Sequence, residues 1–350
     1  MKSINNIIKY PFYRFVDYIL NSGFFREAFW KSSKDLFQSY CNENIKYDLP
    51  SCYEDLNHLI QSKTVSPPPI FITARFRSGS TFLWQLFRRL DGITVYYEPL
   101  NQNRWFLNKG YKTDPTHIGA SNYDLEYRGL SHLNEYYNFE WTNRNLYMDE
   151  KHYAPDLFLY IKELITCSKG RALLQFNRVD FRLAWLKAFF PEAVIVFLYR
   201  HPRQQWMSIQ IDGPSVPKNY KLNKKSNVEL FYLIHWAKDL RNVFPFLEPE
   251  GQHPYTIHYY LWRLSFLFAN TYADYSICYE DLVQDFKNTF KTLLVNLGIN
   301  FQNTVIDELE NLNKGSIRFS WEKYAPNNWY EKKEYECEKV LQAFFLKNKL

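Results

Sequence analysis

The sequence predicts an α/β protein, a three-layer sandwich with a central parallel sheet between helices, and three observations carry that prediction. A short apolar run at residues 70–72 enters a loop with one glycine (Arg77, Ser78, Gly79, Ser80, Thr81). It leaves as an apolar stripe, Phe82, Leu83, Leu86, Phe87 and Leu90, spaced as one face of a helix. Apolar runs and helix-period segments then alternate along the chain, the pattern of parallel strands joined by crossover helices. The run AVIVFLY at residues 193–199 is apolar throughout, as a strand covered on both faces must be.

The elements follow in order. Residues 4–60 read as helical, with Phe12, Phe15, Val16, Ile19 and Leu20 on one face and Pro11 at a first turn. Lys9 and Arg14 make that face's surroundings basic, so contact with a membrane surface is conceivable, but packing onto the main domain is the favoured reading. Ser66 and the prolines 67–69 form an extended lead-in, which divides the chain into an N-terminal helical extension, 1–66, and an α/β domain, 67–350. Residues 94–97 read as a second strand ending at Glu98-Pro99. Residues 101–150 are polar, aromatic and weakly periodic, and a long irregular stretch in a compact domain is commonly functional, so about 101–155 is a candidate substrate-facing insert. A helix at 157–165, a strand at 172–176, a helix at 181–190 and the strand at 193–199 come next. Beyond a lysine-bearing loop at 212–226, helices are expected at 228–245 and 254–272, a strand at 275–278 and a helix running to about 297. The last 50 residues are mixed, with a loop-like patch at 313–329.

Composition narrows the class. The 350 residues are 46% hydrophobic and 23% charged, the balance of a soluble globular protein. The formal charge of +6 suits an anionic ligand, yet no lysine- or arginine-rich tract points to nucleic acid. Cys41, Cys52, Cys167, Cys278 and Cys337 show no Cys-x-x-Cys spacing, which gives neither a zinc site nor a disulfide framework and fits a reducing compartment. With no apolar run of spanning length and no signal-peptide pattern, a cytoplasmic protein is expected.

Two segments carry chemistry. A strand–loop–helix with small hydroxyl residues at the helix start is an anion-binding device, because unpaired N–H groups and the positive end of the helix dipole face the loop. Set against a Walker A loop, Ala74 and Gly79 stand for its two glycines, Ser80 for its lysine and Thr81 for its hydroxyl residue. The missing lysine argues against an ATPase or GTPase, and Arg77 supplies a cation from within the loop instead. The second segment is Arg200-His201-Pro202-Arg203 at the end of the 193–199 strand, with Ser208 eight residues after Arg200. Ligands of open parallel sheets bind at this carboxyl edge, where an arginine and a nearby hydroxyl can grip a phosphate. Each segment alone also fits a structural turn or a local ion pair.

Together they resemble the sulfotransferases that use 3′-phosphoadenylyl sulfate (PAPS). The 5′-phosphosulfate loop of that family is matched by Arg77, Ser78, Gly79, Ser80, Thr81 and Phe82. Its 3′-phosphate motif is matched by Arg200, Pro202, Arg203 and Ser208, with His201 in place of the usual aspartate. Its Tyr-Glu-Asp-Leu segment is matched by Tyr279, Glu280, Asp281 and Leu282, so the matches span about 68–300. The resemblance implies a P-loop-like 5′-phosphosulfate loop in which the amides of Ser78, Gly79, Ser80 and Thr81 hold the 5′-phosphate and sulfate, with Arg77 neutralising charge. It implies that Arg200 and Ser208 bind the 3′-phosphate, that PAPS is the co-substrate without a metal, and that a hydroxyl group accepts the sulfuryl. Phe82 takes a position where relatives stack on adenine, or fills core; Tyr279 approaches the nucleotide, or packs.

The resemblance also points to catalytic groups. Glu98 matches a glutamate that relatives acting on carbohydrates and protein tyrosine use as general base. A histidine base is used by other branches, and His117, His132 and His152 lie in the 101–153 region. Arg178, in Asn177-Arg178, takes the position of a lysine that helps stabilise the transferring group. Gly315, Ser316, Ser320 and Lys323 are candidates for a last nucleotide-binding loop. The Arg-Lys-Gly signature of the cytosolic small-molecule branch is absent, which tilts the reading to the carbohydrate, tyrosylprotein and bacterial branches. The competing readings are a degenerate P-loop nucleotide kinase and a non-catalytic nucleotide- or glycan-binding protein on the same fold. The aromatic-rich insert fits a sugar, a phenol or another alcohol as acceptor.

Overall fold

The structure, a computed structural model, describes residues 67–109, 120–212, 215–224, 226, 230–313 and 321–348, all within the compact unit Asp55–Leu350. The expected N-terminal extension lies outside the described residues, as do His117, Gly315, Ser316 and Ser320.

Five strands form one all-parallel sheet in the order β2-β3-β1-β4-β5: β1 (Ile70–Ala74), β2 (Ile93–Tyr97), β3 (Arg171–Phe176), β4 (Val194–Tyr199) and β5 (Tyr275–Cys278). Every residue of β1 and β3 is buried, which is why they read as near-continuous apolar runs. Helices α1 (Ser80–Phe87), α2 (Pro155–Thr166), α3 (Leu183–Phe189) and α4 (Pro202–Asp212) connect or follow the strands. They are succeeded by α5 (Leu233–Leu240), α6 (Pro254–Tyr272), α7 (Tyr279–Gln284), α8 (Phe286–Asn296), α9 (Asn303–Glu310) and α10 (Asn327–Asn348). The α/β sandwich is thus as the periodicity predicts. No helix among the described residues is long and apolar enough to cross a membrane.

Register fixes where the strands end. Thr73 of β1 pairs with Phe176 of β3 and Phe197 of β4, Tyr97 of β2 pairs with Gln175, and Cys278 of β5 pairs with Tyr199. The next residues, Glu98, Asn177 and Arg178, Arg75 to Gly79, Arg200 and Tyr279, therefore emerge along one carboxyl edge, the ligand-binding edge of such sheets.

Three expectations are corrected. The helix expected at 228–245 is shorter: Phe231 and Tyr232 have positive φ, α5 begins only at Leu233, and the chain passes into a 3₁₀ turn at Pro245–Leu247. The helix expected to run to 297 is two helices, broken at Asp285, whose φ of −126° and ψ of 61° leave the helical region. The mixed C-terminus contains the 22-residue helix α10. Arg203 fastens α10, donating from Nε to Glu334 Oε1 (2.8 Å) and from Nη2 to Oε2 (2.6 Å), a bidentate pair that stacks over Trp321.

The insert is a chain of 3₁₀ turns, Trp105–Leu107, Leu125–Tyr127, Ser131–Glu135 and Phe139–Thr142, laid beside β2. Tyr127 donates its hydroxyl to Tyr97 O (2.9 Å) and Tyr160 to Pro99 O (2.7 Å). Arg182, fully buried, holds the far end: its guanidinium donates to the carbonyls of Trp141, Arg144, Asn145 and Arg178 at 2.9–3.1 Å. A buried guanidinium is tolerable because every donor group reaches an oxygen, while the carbonyls in turn need those donors. Replacing Arg182 by alanine should lower unfolding stability by about 2–4 kcal/mol. Urea melts will check this, and a loss within the error of the melts would contradict it.

Candidate functional site

The loop after β1 makes one tight turn. Ser78 N donates to Arg75 O (3.2 Å), Arg77 takes φ of 67° and Gly79 φ of 90°, and α1 begins at Ser80. Gly79 is required twice over: an L-residue resists that φ, and a Cβ there would collide with the Tyr279 ring. The Gly79 carbonyl accepts from Leu83 N (3.1 Å), which opens the helix. Ser78, Ser80 and Thr81 are buried. The Thr81 hydroxyl lies 3.0 Å from that of Tyr97, so its side chain points toward β2.

The β4 edge is bound to this loop directly. Arg77 Nε donates to Ser208 Oγ (3.1 Å), Arg200 Nη1 donates to Arg77 O (3.3 Å), and Gln205 Nε2 donates to both Phe76 O and Ser78 Oγ (2.7 Å each). The structure thus brings Arg77, Ser78, Gly79, Arg200, Ser208 and Tyr279 together. Arg200 stacks on Tyr279 at 4.8 Å and approaches Glu280 at 4.0 Å. It is 8% exposed, and its Nε finds no hydrogen-bond partner among the described residues. Burial lowers its pKa, with Tyr279 and Glu280 pulling the other way. A buried cation short of acceptors is suited to an anion. His201, the departure from the family motif, donates its backbone N to the Glu280 carboxylate at 3.1 and 3.3 Å, so the position still ties β4 to α7. Phe82 is half-buried and faces Phe286 at 6.3 Å.

On the other flank, Glu98 and Arg178 meet. Arg178 Nη1 donates to Glu98 Oε2 (3.3 Å) and Asn177 Oδ1 (2.6 Å), and Nη2 to Gln102 Oε1 (2.8 Å). Asn101 Nδ2 also donates to Glu98 Oε2. Glu98 is 8% exposed and Arg178 3%, so this is a desolvated pair in which lost partners would be costly. The Arg178 guanidinium lies against the rings of both Phe76 (5.0 Å) and Tyr232 (5.6 Å). His132 and His152 are exposed, and His132 Nε2 lies 2.9 Å from Glu163 on the surface. Lys323 lies in a 3₁₀ turn and is exposed.

Sequence reasoning missed Gln205, Asn101 and Gln102, and gave Glu280 no role beyond its place in the Tyr-Glu-Asp-Leu match, because their partners are set by the folded edge. It also missed the buried polar cluster beneath the loop. There Asp180 accepts from Thr73 Oγ1 (2.6 Å) and Ser265 Oγ (3.3 Å), with Arg75 at 3.8 Å. Burial pushes Asp180 up and brings Arg75 down to about 10. His258, 1% exposed beside them, donates from Nε2 to Pro202 O (3.0 Å).

The chain belongs to the sulfotransferase family, whose sequence model matches residues 68–303. Its reaction class is therefore sulfuryl transfer. No curated protein matches the chain. Among solved structures, it is similar to mouse sulfotransferase SULT7A1 complexed with PAP, at 14% identity over 84% of this chain and 89% of that one, with a TM-score of 0.37. Sulfotransferase STF9 from Mycobacterium avium is 11% identical over 84% and 79% with a TM-score of 0.44. The sulfotransferase domain of the Synechococcus PCC 7002 olefin synthase is 16% identical over 71% and 78% with a TM-score of 0.36.

The cluster under the loop makes the protein acid-sensitive. Burial, reinforced by Arg75, lowers the His258 pKa from 6.5 to about 3. A depressed folded-state pKa means that the unfolded chain takes up a proton first, so this stability is complete above pH 6.5 and drains as pH falls toward 3. At pH 5 the linkage amounts to about 2 kcal/mol. Urea melts at pH 7.5 and pH 5.0 should therefore show a smaller acid loss in His258→Gln than in the wild type, by about that amount. Equal losses would rule the linkage out.

Proposed function

We propose that this protein transfers a sulfuryl group from PAPS to a hydroxyl acceptor without a metal, with Glu98 as general base. The observation that carries the reading is the direct bonding of two anion-gripping devices, with Arg77 bonded to Ser208 and Arg200 bonded to the Arg77 carbonyl. A 5′-phosphosulfate and a 3′-phosphate on one nucleotide call for two such devices side by side. The partner-poor guanidinium of Arg200 and the ring of Tyr279 beneath it fit a phosphate next to a base. A nucleotide kinase would need a cation at Ser80, where the chain has a hydroxyl.

In this reading the amides of residues 78–81 and the Arg77 side chain hold the 5′-phosphate and the bridging oxygen, where negative charge grows as the S–O bond to the donor breaks. Arg200 and Ser208 hold the 3′-phosphate. PAPS supplies the activated sulfuryl group and leaves as adenosine 3′,5′-bisphosphate. Arg178 lies on the acceptor flank and balances charge on the sulfuryl oxygens. Glu98 takes the hydroxyl proton as the new S–O bond forms, with Asn101 and Arg178 holding the carboxylate through its Oε2. Holding the reacting oxygens in line supplies much of the remaining acceleration.

Glu98→Gln keeps the size and the bond from Asn101 but cannot accept the proton. With radiolabelled PAPS and an acceptor taken from a hydroxyl-compound screen, kcat should fall by about 10²–10⁴ while adenosine 3′,5′-bisphosphate binding is retained. An unchanged kcat would remove Glu98 from the role of base.

A further inference from the structure

Five non-glycine, non-asparagine residues hold positive φ among the described residues: Arg77 (67°), Glu98 (39°), Arg104 (54°), Phe231 (51°) and Tyr232 (62°). Asparagine visits this region readily; bulky side chains do not, and two consecutive aromatics there form a genuine outlier. Four of the five converge on the site. The Arg77 guanidinium lies 5.5 Å from the Phe231 ring, and Arg178, bonded to Glu98, lies 5.6 Å from that of Tyr232. Strained backbone persists only where the surroundings over-determine it, and it concentrates at ligand clamps. The strain at Phe231 and Tyr232 serves to turn two rings toward Phe76, at 6.1 and 5.9 Å. All three rings are half-buried, unlike the fully enclosed aromatics of the core.

We infer that Phe76, Phe231 and Tyr232 form the acceptor-binding face, and that the acceptor presents a carbohydrate ring. The assignment rests on the sulfotransferase reading above and names its acceptor. The rings stand beside Glu98, Gln102 and Arg178, a carboxylate, a carboxamide and a guanidinium, each planar and able to bond more than one hydroxyl. An aromatic face for the apolar side of a sugar, next to several planar polar groups for its hydroxyls, suits a pyranose. A phenol or a long-chain alcohol offers one hydroxyl to those polar groups, whereas a sugar offers several. The acceptor flank is also separate in the fold. Glu98 and Arg178 follow β2 and β3, whereas Arg200 and Tyr279 follow β4 and β5, with the β1 loop between them.

The test uses the wild type and the variants Tyr232→Phe, Tyr232→Gly and Phe231→Gly, each first titrated with adenosine 3′,5′-bisphosphate by calorimetry. Saturation-transfer NMR on the bisphosphate-bound proteins then probes glucose, galactose, N-acetylglucosamine, lactose and 4-nitrophenol. The expected result is saccharide binding by the wild type and Tyr232→Phe, weakened about tenfold or more in both glycine variants. Glycine relieves the strained φ but removes a ring packed against the core, so melting temperature is not the readout; Tyr232→Gly, whose ring is not the one on Arg77, should bind the bisphosphate within about twofold of the wild type. Unchanged saccharide binding in the glycine variants, binding of 4-nitrophenol but of no saccharide, or loss of bisphosphate binding in Tyr232→Gly would overturn the inference, the last because the ring would then be structural. If the wild type fails to bind the bisphosphate, the donor reading falls, and this assignment with it.

Discussion

The site depends on β1 lying at the centre of the sheet, hydrogen-bonded to β3 on one side and β4 on the other. A parallel sheet delivers the ends of all its strands to one edge, and the strand order decides which ends become neighbours. With the order β2-β3-β1-β4-β5, the glycine-bearing loop is flanked by Arg178 and Glu98 on one side and by Arg200 and Tyr279 on the other. The loop can therefore serve two flanks of different chemistry. A change in register of even one residue would carry Arg200 off the Arg77 carbonyl and separate the β4 edge from the loop.

That edge concentrates cations in a desolvated setting. Arg75, Arg178, Arg182 and Arg200 are each under 10% exposed. Each is managed differently: Arg182 by four carbonyls, Arg178 by a carboxylate, two amide oxygens and two rings, Arg75 by Asp180 and the Trp236 ring. Arg200 has a 4.0 Å carboxylate contact, one carbonyl and a ring, and like Arg75 it keeps a buried nitrogen without a hydrogen-bond partner among the described residues. Burying a guanidinium with so few acceptors is costly, and the cost is offset when an anion arrives. Strain follows the same economy of position, with positive φ at Arg77 and Glu98 on the very residues that face the ligand edge.

Much of this edge was legible in the sequence because buried parallel strands are apolar on both faces and end abruptly in charge. Residues 193–199 and Arg200 show it best, and Gly79 could be read from the demands of a tight turn. What the sequence hid depends on contacts between distant positions. Gln205 reaches Ser78 across 127 residues and Glu280 reaches His201 across 79, and no local pattern encodes either. Helix α10 did leave a signal, since Tyr330, Cys337 and Leu341 are its buried positions, seven and four residues apart. The lysines and glutamates between them masked it. The helix at 228–245 was overestimated because periodicity continues through Phe231 and Tyr232 while their backbone does not. Family matching covers residues 68–303, so α10 lies beyond the matched segment while its partner Arg203 lies within it.

The central claim is that the loop and the β4 edge together read a nucleotide phosphorylated at both the 5′ and 3′ positions. Isothermal titration calorimetry with adenosine 3′,5′-bisphosphate and adenosine 5′-monophosphate, on the wild type and Arg200→Ala, tests it most directly. The account predicts that the wild type prefers the bisphosphate by about tenfold or more, and that Arg200→Ala loses the preference while still binding the monophosphate. Equal affinity of the wild type for the two nucleotides, or a preference that survives in Arg200→Ala, would contradict it.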